Sequence, residues 1–190
     1  MRIITGEYKG RQIASVKGAN IRYTSDRLKE SLFSILRESV VGSHFLDLYA
    51  GSGNVGIEAL SRGADSVTFV DINPFCIKTI ESNLQKCGVT AEMMLEQSRV
   101  RILKTEAFRS LGYFQRHGAR FDLIFLDPPY AKGFVERTIQ EISTGKILSE
   151  NGRIIAEHDV KEAVRSPIGG FIMDRQEKYG LTLLSFFGNQ

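Results

Sequence analysis

Apolar residues along the chain fall into short blocks divided by polar, glycine-bearing turns, and the blocks alternate between two spacings. Runs such as Val67-Thr-Phe-Val70 and Leu123-Ile-Phe-Leu126 predict buried strands, while apolar positions three and four apart predict amphipathic helices. Strands are expected near residues 44–49, 66–71, 99–104, 121–127 and 152–157, with helices near 55–62, 74–87, 106–112 and 133–143. Alternation at this spacing argues for an α/β fold built on a doubly wound parallel sheet. The end of the chain breaks the pattern. Gly170-Phe-Ile-Met173 and Leu181-Thr-Leu-Leu-Ser-Phe-Phe187 flank Tyr179-Gly180 with no helix between, which predicts an antiparallel hairpin at the sheet edge and seven strands in all. At the front, residues 2–5 and 11–16 read as a hairpin around Gly6-Glu-Tyr-Lys-Gly10. Thr24-Ser25-Asp26 then starts a helix whose Leu28, Leu32, Phe33, Ile35 and Leu36 carry it to about Val40. Residues 1–40 are therefore expected to form a hairpin-and-helix extension on a domain spanning 41–190. Residues 88–98 give no clear signal.

A length of 190 residues with 42% hydrophobic content fits one globular domain with a small appendage. No apolar run approaches the ~20 residues needed to cross a bilayer, so no membrane association is expected. The start of the chain lacks an apolar core of signal-peptide length. Cys76 and Cys87 stand far from any Cys-x-x-Cys spacing and read as reduced thiols. A cytoplasmic protein is expected. Net charge is only +3 but uneven: residues 1–40 hold eight Lys/Arg against four acids, leaving the rest of the chain slightly acidic. Such a front end suits a polyanion, and Arg2, Lys9, Arg11, Arg22 and Arg27 are the candidate phosphate contacts.

The chemistry concentrates in two stretches. In Asp127-Pro128-Pro129-Tyr130, a carboxylate ends a buried strand and two prolines stop it, because neither has an N–H for the ladder. The prolines fix the direction of the Asp127 and Pro128 carbonyls at the sheet edge where ligands of open α/β sheets bind. A side-chain acceptor, fixed backbone acceptors and a flat ring are the parts needed to hold the exocyclic amino group of a nucleobase.

The second stretch is Asp47-Leu-Tyr-Ala-Gly51-Ser-Gly53-Asn-Val-Gly56. Its glycines satisfy the dinucleotide pattern, and Asp71 follows Gly51 by 20 residues, so a nicotinamide enzyme has to be weighed. Asp47 decides against it. A pyrophosphate over this loop would be repelled by the carboxylate by about 3 kcal/mol at ~5 Å and an effective dielectric of ~20. S-adenosylmethionine has no phosphate and carries an ammonium and a sulfonium instead. The cofactor-binding candidates here are Asp47, Tyr49, Ala50, Gly51, Ser52 and Gly53. Asp71 is placed to accept from the ribose hydroxyls, Ile72 to lie against the adenine, and Glu106 and Ala107 to meet its edge.

With these motifs in place, the whole chain resembles the RsmD family, bacterial enzymes that methylate guanine N2 in small-subunit ribosomal RNA. The resemblance rests on Met1-Arg-Ile-Ile-Thr-Gly-Glu-Tyr-Lys-Gly10-Arg11, Arg22-to-Phe33, Asp47-to-Gly53, Gly56-to-Ala64, Phe121-to-Gly133, Glu157-His158 and Glu177-to-Gly180. Tyr23 stands where the family usually has Pro, and Glu106 where it has Asp; the latter keeps an acceptor with a longer reach. The resemblance implies a Rossmann-like class I methyltransferase fold with a reversed C-terminal hairpin. It also implies S-adenosylmethionine as methyl donor, S-adenosylhomocysteine as product, and small-subunit rRNA or a 30S particle as partner.

In that setting Asp127 and the Pro128 carbonyl would accept the two N–H bonds of the target amine, Pro129 would hold the turn, and Tyr130 would stack on a base drawn out of its helix. The methyl group is already activated, so no metal is expected. His158 is a candidate for touching the base, whereas His44 and His117 read as structural. A DNA amino-methyltransferase is the alternative, disfavoured because no target-reading segment is evident. A non-catalytic RNA-binding module is a weaker one. A monomer is expected.

Overall fold

In the computed structural model, which describes residues 1–16, 24–90, 92–93, 99–129 and 133–189, seven strands form one sheet in the order β3-β2-β1-β4-β5-β7-β6. They are β1 (His44–Leu48), β2 (Ser66–Asp71), β3 (Val100–Lys104), β4 (Phe121–Leu126), β5 (Leu148–Asp159), β6 (Phe171–Tyr179) and β7 (Thr182–Asn189). The first five are mutually parallel; β7 slots between β5 and β6 and runs antiparallel to both. The expected C-terminal hairpin is thus present, with β6 as the outer strand. Beside one exposed apolar residue, Ile172, its exposed positions carry Asp174, Arg175, Gln176 and Lys178, charged and polar groups that discourage pairing with another edge. β5 is longer than its apolar run because it begins at Leu148 and shifts register between its first and later pairings with β4.

The helices are α1 (Asp26–Leu36), α2 (Asn54–Ser61), α3 (Pro74–Lys86), α4 (Ala107–Arg116) and α5 (Phe134–Gly145). The side chains of Ser25 and Asn73 cap α1 and α3 by accepting from the backbone N–H of Leu28 (3.2 Å) and Phe75 (2.9 Å). α1 stops four residues short of the expected Val40. Arg37 turns to φ 48°, its N–H reaches back to the Phe33 carbonyl, and residues Arg37–Val40 tighten into a 3₁₀ turn.

Strand alternation sorts the core into two layers. Phe45, Phe69, Leu123 and Phe125 face α1, α2 and α3, while Leu46, Leu48, Val70, Ile124 and Leu126 face α4 and α5. The front segment joins the first layer: Ile3, Tyr8, Ile13, Leu32 and Phe33 share one cluster with Ile57, Phe69 and Ile80. Its hairpin is looser than the sequence suggests, with a single bridge between Arg2 and Gln12. The reason is where its backbone goes. Ile4 and Thr5 donate to the Glu58 carboxylate at 2.9 and 3.0 Å, and Glu7 donates to the Ser61 carbonyl at 2.8 Å. α2 thus takes donors that a strand partner would have used. Contact is so close at Gly6 that a Cβ there would lie 1.7 Å from the Ser61 carbonyl oxygen.

Candidate active site at the carboxyl edge of the sheet

Strand order reverses between β1 and β4, the crevice where open α/β sheets place their ligands. Asp47 on β1 lies in register with Phe69 on β2 and Phe125 on β4. Asp71 and Asp127 each follow those partners by two residues. Because side chains alternate along a strand, all three carboxylates belong to the parity of Phe45, Phe69 and Phe125. They line one cavity of about 780 Å³ together with Tyr49, Ala50, Gly51, Ser52, Ile72, Glu106, Ala107, Pro128 and Pro129. Gly53 is the exception among the described cofactor candidates. It caps α2 at φ 75° and packs against Phe69 and Ile80 behind the lining residues. Tyr130 and Arg22 lie outside the described residues.

The loop geometry follows from its donors. Asp47 is buried, and one of its oxygens accepts the Gly56 N–H at 2.9 Å. Burial pushes its carboxyl up to about 8; the Gly56 bond opposes the shift and the Asp71 charge adds to it. Asp71 accepts from the N–H of Gly51 (2.9 Å) and of Asn73 (2.8 Å), tying the glycine loop to the end of β2. Cys76, also on the cavity wall, is a buried thiol pushed up to about 12 by burial and by Asp71. Tyr49 takes φ 62°, its hydroxyl pairs with Thr138 at 3.1 Å, and burial raises its pKa. Glu106 stands before the first residue of α4 and makes no side-chain cap bond, while Ile72 is 60% exposed at the rim.

Thr24, which the sequence offered with Arg22 as a candidate for lining the cofactor lid, does line the cavity; sequence reasoning missed Asn54, Phe108, Phe134 and Arg137. The Arg137 guanidinium lies over the Phe108 ring at 4.4 Å, and Phe134 sits beside that ring at 6.2 Å. Phe134 and Arg137 stand three apart at the start of the helix following Asp127-Pro128-Pro129, a spacing that could have drawn attention to them. Among the described lining residues, Asp47, Asp71, Glu106 and Asp127 face a single Lys or Arg, Arg137.

His158 is a correction. Its ring is fully buried in the sheet, bonded to Ser185 at 2.8 Å and to the Asp159 carbonyl at 3.2 Å, and it does not line the cavity. Burial also lowers its pKa, keeping it neutral. His44 and His117 lie elsewhere, bonded to Ser66 and to the Tyr113 carbonyl. The basic candidates separate into two places. Arg2 and Arg27 are exposed at the start of α1, near Thr24 on the cavity wall, with Arg2 3.5 Å from Asp26. Lys9 and Arg11 sit by the far ends of α2 and α3, where Arg11 donates to the Lys86 carbonyl at 2.7 Å. Lys29, one of the eight front-end cations, is fully buried against Glu58 at 3.0 Å.

Residues 1–188 match the model of the family described as Conserved hypothetical protein 95. The chain belongs to this family. A Bacillus subtilis relative, YlbH, is 37% identical over 187 residues, covering 98% of each chain. Ribosomal RNA small subunit methyltransferase D of Haemophilus influenzae is 32% identical over 169 residues, covering 88% of this chain and 83% of that one. The solved structure of yhhF from Escherichia coli superposes with a TM-score of 0.83 at 27% identity, covering 100% of this chain and 98% of that one. The match takes in the front segment, so residues 1–40 are part of what this family shares.

Proposed function

We propose that the chain is an S-adenosylmethionine-dependent methyltransferase that modifies guanine N2 in small-subunit ribosomal RNA. The observation that carries the proposal is the convergence of Asp47, Asp71 and Asp127 from three adjacent strand ends on one acid-lined cavity, with Pro128 and Pro129 beside the last of them. A relative named for rRNA small-subunit methylation supports the substrate class. The lining suits the donor: its four carboxyl groups, with Asp47 giving up its proton on binding, favour a ligand with cationic centres over a dinucleotide's pyrophosphate. When bound, the donor supplies a methyl group on a sulfonium, already activated for displacement.

In this reading Asp71 holds the ribose hydroxyls, Ile72 and Ala107 the adenine faces, Glu106 the adenine amino group, and the loop from Tyr49 to Ser52 the methionine end, with Gly53 supporting that loop from behind. Asp127 and the Pro128 carbonyl accept the two N–H bonds of the target amine. That aims a lone pair otherwise delocalised into the ring, and Asp127 takes the proton once nitrogen becomes cationic. Tyr130 stacks on the base. Arg2 and Arg27 contact phosphates near the cavity, Arg22 is a further phosphate contact, and Lys9 and Arg11 reach only flanking RNA. The described lining comes from one copy of the chain, so a monomer suffices, acting in the cytoplasm on rRNA or a 30S particle.

Incubation with labelled donor and unmodified small-subunit particles, followed by mapping of the labelled base, tests the proposal; label on a base other than guanine, or on DNA alone, refutes it. Asp127→Ala is expected to bind donor normally and to lose transfer by at least a hundredfold.

A further inference from the structure

Fully buried Lys29 is surrounded by acceptors that match its three N–H donors one for one. Its ammonium pairs with Glu58 at 3.0 Å and donates to Asn54 Oδ1 and to the Arg2 carbonyl, both at 2.7 Å. Glu58 is saturated as well, taking Lys29 and the Ile4 N–H on one oxygen and Arg62 and the Thr5 N–H on the other. This arrangement decides how Asn54 is oriented. With its oxygen held by a cation, the Asn54 amide must present its NH₂ elsewhere, and it donates to the Thr24 carbonyl at 3.0 Å. Thr24 in turn donates its hydroxyl to Glu157 at 2.8 Å. Both Thr24 and Asn54 line the cavity, on the side where α2 begins and where Asp47 accepts from Gly56.

We infer that Lys29 is a positioning residue for the donor: through Asn54 it sets Thr24 as the wall of the cavity's methionine end, spanning α2 and β5. The inference rests on the proposed donor-binding role of the cavity. The geometry distinguishes it from a plain buried ion pair. A pair serving stability alone would need Glu58, whereas Lys29 spends a donor on a cavity-lining amide whose flip would set the Asn54 oxygen against the Thr24 carbonyl oxygen.

Steady-state kinetics on small-subunit particles and calorimetric binding of S-adenosylmethionine test it in the full chain. For folded Lys29→Met, the donor KM and dissociation constant should each rise at least tenfold, with kcat at saturating donor within about threefold of the parent. A purely structural loss would instead reduce the fraction of folded enzyme, lowering kcat and leaving donor KM unchanged; that result overturns the inference. Should Lys29→Met not fold, Asn54→Ala reads the same link and should raise donor KM by a similar factor, an unchanged donor KM overturning it. Asn54→Asp, which keeps an oxygen for Lys29 but sets its second oxygen against the Thr24 carbonyl oxygen, should raise donor KM by a similar factor, and an unchanged donor KM overturns the relay. Failure of the unsubstituted protein to bind donor would instead refute the donor-site reading itself.

Discussion

In the proposed donor site, Asp47 would couple folding to ligand binding. A carboxyl titrates near ~4 in an unfolded chain, yet at this site burial raises it to about 8. Across that window the folded protein holds a proton that the unfolded chain has released, so the residue's contribution to stability declines as pH rises from about 4 to about 8. A cationic donor requires the ionised form, so binding releases that proton. Donor affinity is therefore expected to rise with pH between about 6 and 8, by up to about tenfold per unit, as titration calorimetry can measure. Asp47→Asn should bind weakly and without that slope; an unchanged slope would remove Asp47 from the linkage. At this scale much was legible from the chain. Asp47, Asp71, Glu106 and Asp127 stand out because acids at the ends of apolar strands are rarely there for packing. Lys29 was not legible. On an amphipathic helix it resembles any surface lysine, and only the approach of Glu58 and Asn54 from another element makes its burial tolerable.

Among the elements, α2 is the pivot. Its start carries the glycine loop, its middle holds Glu58, and its end receives the backbone of the front segment. Gly56 lets it lie against β2: a Cβ there would come within 2.3 Å of the Phe69 ring and 3.0 Å of an Asp47 oxygen. Gly56→Ala is expected to lower unfolding stability by about 1–3 kcal/mol in denaturant titrations and to weaken donor binding as well, because helix and Asp47 move together. Full retention of both would show that the packing gives way cheaply. The alternation of elements was readable from hydrophobic spacing, as was the closing hairpin. The extent of the front hairpin was not, since its donors are claimed by a helix fifty residues away. Nor was the early start of β5, where Ser149, Glu150 and Asn151 interrupt the apolar pattern, yet β4 still pairs with Leu148.

For the whole molecule, the basic front end divides around α2. Arg27 is three residues from cavity-lining Thr24, whereas Lys9 lies in the turn held at the other end of α2, eight residues or ~12 Å along the helix axis. Arg27→Ala should therefore raise the KM for RNA more than Lys9→Ala does. It should also reduce the salt dependence of RNA binding by about one unit in log–log slope. Equal effects from the two substitutions would indicate RNA wrapping the entire front face.

By itself the sequence established the layered α/β architecture, the glycine loop, the acids that end β1, β2 and β4, and the turn at Pro128 and Pro129, because each is encoded by spacing and backbone constraint within a few residues. Only the tertiary structure decided which polar groups share an environment. It buried Lys29, withdrew His158 into the sheet, brought Thr24 to Asn54 and Glu157, and separated Arg27 from Lys9, since those outcomes depend on contacts between segments distant in the chain.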